Sequence, residues 1–144
     1  MVSADELSLP DEFWQGLAQF NRGDYYDCHD TLEALWIEAP AVDKPFYQGI
    51  LQISVGFYHL RNRNWRGAAI LLGEGSSRLR PFEPNYGQVD VADLVDQSTD
   101  WLTALQQTGP ERVAEIAQQL DPGSPSETQP IASLSVPNIS RAAG

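Results

Sequence analysis

The stretch "FYQGILQISVGFYHL", residues 46–60, decides the fold. Its apolar positions Phe46, Ile50, Ile53, Phe57 and Leu60 recur at steps of three and four, the period of a helix. Leu51, Val55 and Tyr58 lie off that seam and are apolar too. A helix apolar on nearly every side is one that its neighbours surround. The stretch is too short and too polar to span a bilayer. Asp43 offers an N-cap, Pro45 is tolerated in the first turn, and the helix runs to about Arg61. The pattern predicts an all-α fold: a single-domain bundle of five or six helices with this third helix central and buried.

Working outward, "DYYDCHDTLEALW", residues 24–36, reads as the second helix, capped by Asp24 with Asp27 three residues on, and stopped near Ile37 or Glu38 by Pro40. The first helix starts near Ser8 or Pro10. Asp11 and Glu12 suit its positive end, Phe13, Leu17 and Phe20 form its apolar face, and Gly23 ends it. Beyond the "RNRN" turn, Asn64 caps a fourth helix carrying Ala68, Ala69, Leu71, Leu72 and Leu79, which Pro81 stops. Gly73 and Gly75 predict a bend or a close approach in it. "RPFEPNYGQ" reads as a loop. Asp90 caps a fifth helix with Leu94, Val95, Trp101, Leu102 and Leu105 inward, ended by Gly109. Pro110 opens a short sixth with Val113, Ile116, Ala117 and Leu120. No segment shows the alternation of a strand. The bundle domain is thus residues 1–120, and residues 121–144, rich in Pro, Ser and Gly, form a tail expected to be disordered and dispensable for folding.

The 144 residues are 42% hydrophobic, enough for one real core, and carry a formal net charge of −11. Such a surface repels phosphate backbones and anionic lipid, so neither nucleic acid nor a membrane is an expected partner. Cys28 is the single cysteine, so no internal disulfide forms. The opening "MVSADELSLPDEF" has neither a basic nor an apolar leader region. Together these features predict a cytoplasmic protein.

His29 and Glu33 stand four apart on the second helix and share a face. Tyr26 and Trp36 lie on or beside the same stripe. On the third helix Gln48, Gln52 and His59 share a line, with Gly49 and Gly56 beside it. A short connection makes the two helices antiparallel neighbours, which predicts that His29, Glu33, Gln52 and His59 converge, with Tyr26, Trp36 and Gln48 lining the site. Three readings follow. A His–Glu–Gln hydrogen-bond network fixes helix register. His29, Glu33 and His59 form a ligand set for a divalent metal such as zinc or iron. Or a histidine serves as the acid–base group of a metal-free pocket that takes a small-molecule ligand. Against an enzyme of either kind stands a non-catalytic helical module that binds a protein partner, in which the cluster is structural. No reaction, substrate or oligomeric state follows from the residues.

"FNRGDYYDCHDTLEALW", then "FYQGILQISVGFYHL", then "NWRGA", in this order, resemble the domain of unknown function 309 family of small helical proteins. The family's signature is a histidine, three residues, a glutamate, two residues and an aromatic, met here by His29, Glu33 and Trp36. The resemblance spans roughly residues 13 to 80 and takes in the fifth helix. It implies a metal-binding signature with no assigned reaction. Asp30 stands where the family often has glutamate, which keeps the charge on a shorter side chain.

Overall fold

The computed structural model describes residues 9–121 and 134–142. Among the described residues there are six α-helices: α1 (Asp11–Asn21), α2 (Tyr25–Glu38), α3 (Lys44–Arg61), α4 (Trp65–Leu79), α5 (Val91–Thr108) and α6 (Val113–Ala117). The expected all-α bundle is what forms, and α3 is its centre. Phe46, Ile50, Ile53, Phe57 and Leu60 are all fully buried. Each such side chain contributes about 1.5–3 kcal/mol relative to exposure. Phe57 packs edge-on against Phe20 of α1 and Trp101 of α5, with ring centroids 6.0 and 5.6 Å away. No helix among the described residues is long and apolar enough to cross a membrane.

Helix boundaries follow their local chemistry. Gly23, at φ 86°, takes the left-handed conformation that ends α1 and redirects the chain into α2. Asn64 Oδ1 accepts from Gly67 N at 3.0 Å and caps α4, and Asp90 Oδ1 accepts from Asp93 N at 3.0 Å and caps α5. Asp24 and Asp43 occupy the expected N-cap positions of α2 and α3, yet neither side chain caps. Asp24 pairs instead with Arg22 Nε at 3.2 Å, and buried Asp43 accepts from the Tyr86 hydroxyl.

The contact of α3 with α4 is backbone-close. A methyl group placed on Gly75 would lie 2.8 Å from the Gly49 carbonyl oxygen and 2.7 Å from Ile53 Cγ1. Of the two outcomes expected for the α4 glycines, close approach is the one seen at Gly75.

Two further features depart from the sequence reading. At the end of the expected loop, β1 (Asn85–Tyr86) and, just beyond it, β2 (Val89–Asp90) form a small antiparallel hairpin. Gly87 and Gln88 turn between them, both at positive φ (55° and 67°), the geometry that matches strand twist in a two-residue turn. Gly-Gln is a weaker signal for that turn than Asn-Gly. The second departure concerns the tail. Residues 134–142 lie against the bundle in extended form, with Ile139 buried, where an unpacked tail was expected. Residues 122–133 of that tail lie outside the described residues.

Candidate functional site

Helix α2 turns Tyr25, Cys28 and Leu32 into the core and leaves its other side to solvent. On the border of those faces His29 is partly covered, its side chain 21% exposed, while Glu33 and Asp30 are 52% and 60% exposed. His29 Nε2 lies 3.1 Å from Glu33 Oε2 across one helical turn, and His29 Nδ1 lies 3.2 Å from Asp30 Oδ1. Neutral imidazole carries one N–H, so it can donate to only one of the two carboxylates. The other ring nitrogen then turns a lone pair toward a carboxylate, a pairing that a cation between them would satisfy.

The ring is also held from the side. Tyr26 packs on it at a tilt, with centroids 5.5 Å apart, and in turn meets Tyr58 of α3 at 5.1 Å. One potential ligand atom from each of His29, Asp30 and Glu33 lies within 4.8 Å of the others; His59 is not in the group.

The expected convergence with α3 does not form. Gln52 and His59 do share a face, but that face meets α4. Gln52 Nε2 donates to Glu74 Oε2 at 3.2 Å, and its Oε1 accepts from Arg78 Nε at 3.0 Å. His59 Nδ1 accepts from Asn64 Nδ2 at 3.3 Å, and its ring crowds Gly67. The residues of α3 that look at α2 are one step round: Tyr58, and Ser54, whose Oγ lies 3.2 Å from Cys28 Sγ. Trp36 packs half-buried against the core under Lys44, whose Nζ is 4.8 Å from the indole centroid. Gln48 is half-buried on α3.

Two participants were not assigned a role from the residues. Asp30 follows His29 directly, a spacing that the same-face rule for helices passes over. Tyr58 looked like one more apolar residue of the central helix. Burial pushes the Cys28 thiol up to about 11, with the Ser54 contact acting against it, so Cys28 is a protonated core group. Burial likewise pushes the Tyr25 hydroxyl up to about 12, against the opposing charge of Arg61.

Residues 13–71, from α1 into α4, match the family described as Domain of unknown function (DUF309). The chain is also 40% identical over 50 residues to the uncharacterized protein YpuF of Bacillus subtilis (strain 168), a match covering 34% of this chain and 29% of that protein. No solved structure matches. The matched segment holds His29, Asp30, Glu33 and Trp36 and stops short of α5, the hairpin and residues 134–142. The resemblance to that family read from the residues is supported by this match over residues 13–71.

Proposed function

We propose that His29 and Glu33 hold a divalent cation on the outer face of α2, with Asp30 orienting the imidazole. The observation that carries this reading is the 3.1 Å separation of Nε2 and Glu33 Oε2. Two donors each bound to one ion at about 2.0–2.2 Å, at angles of roughly 90–110°, stand about 2.8–3.6 Å apart. Asp30 on Nδ1 supplies the carboxylate that commonly fixes the tautomer of a ligating histidine. Two protein ligands leave further positions for water or for a group from a small ligand or partner, and a bound ion would polarise whatever fills them.

Titration of zinc, ferrous iron and manganese into tag-free protein should raise the melting temperature by mass action, and a chelator should reverse the rise. Glu33→Gln should remove most of it, because a neutral amide is a poor ligand for these ions. Acidifying the buffer should weaken binding, since the metal competes with the proton on the imidazole. If none of the three ions shifts the melting of the wild type at neutral pH, the metal reading is wrong.

A second reading, a helical module that binds a protein partner, is favoured by Tyr26 and Ile37. They flank the same face and are 51% and 60% exposed. A captured partner lost on Ile37→Glu, with metal binding unchanged, supports it.

A further inference from the structure

Residues 134–142 are held as a peptide ligand is held. The Asn21 side chain pairs with both backbone groups of Ile139: Nδ2 donates to its carbonyl at 3.0 Å and Oδ1 accepts from its N–H at 2.7 Å. Gln97 repeats the arrangement on Asn138, donating to the carbonyl at 2.8 Å and accepting from the N–H at 3.0 Å. A contact from Asp93 Oδ2, 2.6 Å from Gln97 Nε2, orients that amide. Trp101 Nε1 donates to the Ser135 carbonyl at 3.0 Å. The outer edge of β2 and its turn add main-chain bonds, Asp90 N to Ser140 O and Ala142 N to Gln88 O, both 2.9 Å. These contacts read an extended backbone, as in strand addition to a sheet edge.

Side chains supply the selectivity. Alternate residues face the body: Pro137 and Ile139 are buried, and the Arg141 guanidinium lies 3.8 Å from the centre of the Trp14 ring. Asn138 and Ser140 face outward and are exposed. Pro137 has no N–H to satisfy and biases Val136 toward extended backbone. A cationic residue at 141 suits a chain whose net charge is −11.

We propose that the groove bounded by Asn21, Gln97, Trp101, Trp14 and the edge of β2 is a peptide-binding site for an extended Pro-x-Ile-x-Arg segment. The chain's own residues 134–142 occupy it at rest, and the same segment from a second copy can take their place. Most of the grip is on the backbone and the rest is on three alternate side chains, so nothing in it depends on the segment arriving from the same chain.

The test uses full-length Ile139→Asp, in which a buried charge should expel the resident segment, and a dye-labelled peptide of residues 134–142 read by fluorescence anisotropy. The peptide should bind this variant at least tenfold more tightly than it binds the self-occupied wild type. Adding Asn21→Ala and Gln97→Ala should abolish the binding, as should the Ile139→Asp change in the peptide. Equal binding to variant and wild type, no binding to a variant shown folded by circular dichroism, or binding indifferent to Asn21 and Gln97 overturns the proposal. Should Ile139→Asp not fold, Ile139→Ala is measured in the same way. If neither folds, the segment is core rather than ligand and the proposal falls.

Discussion

Asp30 sits about 100° further round α2 than His29, yet its carboxylate reaches back to 3.2 Å from Nδ1. It touches the imidazole and leaves Nε2 to Glu33, so the two carboxylates should fail differently. On the proposed metal reading, Asp30→Asn should weaken zinc binding by about 10- to 100-fold, the usual cost of losing a partner behind a ligand, where Glu33→Gln should remove most of it; isothermal titration with zinc separates the two. The His29–Glu33 pair was legible because helix period alone puts residues four apart together. His59 was misplaced by one position: the antiparallel level was right, as the Tyr26–Tyr58 contact shows, but Tyr58 takes the α2 side and turns its neighbour to α4. Periodicity gives the direction of a side chain only once a neighbour fixes the rotation of the helix. A separate expectation concerns Cys28 and Tyr25, whose acidities burial weakens, to about 11 and about 12. Both pKa values are raised on folding, so the folded state holds protons that the unfolded chain has lost. Their contribution is complete below the unfolded values, 9.0 and 10.0, and is lost as pH rises through about 11 and about 12. Urea melts from pH 8 to 12 should show stability falling across that window, by about 2–3 kcal/mol for each group. Cys28→Ala should flatten the lower part of the slope.

Between elements, the α3–α4 seam is the strictest contact. Alanine at Gly75 would gain roughly 1 kcal/mol of helix propensity. Its methyl, however, meets the Gly49 carbonyl and the Ile53 side chain, and the former is backbone that cannot turn aside. Overpacking of this kind costs about 1–3 kcal/mol, so Gly75→Ala should lower the melting temperature despite the better helix former. Gly73, whose added methyl would meet only Leu102 at 3.7 Å, should accept alanine with no loss. Element order and type were readable because Pro, Gly, Asn and Asp mark nearly every boundary. The hairpin was not, since two residues per strand are too few to alternate and its turn lacks an asparagine. The unused caps at Asp24 and Asp43 were not readable either, because their competing partners, Arg22 and Tyr86, win only in the folded geometry.

Across the whole molecule, the interaction that composition could not foretell joins Asn21 to Ile139, 118 positions apart. A stretch rich in Pro and Ser lacks the apolar area to fold alone, but it needs very little when the body presents ready-made amides. Truncation after Asp121 should therefore destabilise the bundle. It uncovers the Ile139 site, worth about 1.5–3 kcal/mol of burial, and leaves Asn21, Gln97 and Trp101 without their partners. A fall in melting temperature of about 5–15 °C is expected by scanning calorimetry. An unchanged value would show that the segment adds nothing to the fold.

The β1–β2 hairpin receives both extremities of the described chain. Leu9 packs against Gly87, while Ala142 N bonds to the carbonyl of Gln88, the next residue. Residues 9 and 142 thus arrive at one corner, and the covalent order of the chain becomes largely arbitrary there. A circular permutant in which a short Gly-Ser linker joins them, reopened between α2 and α3 at Val42 (72% exposed), should fold to the same bundle and give the same far-ultraviolet circular dichroism.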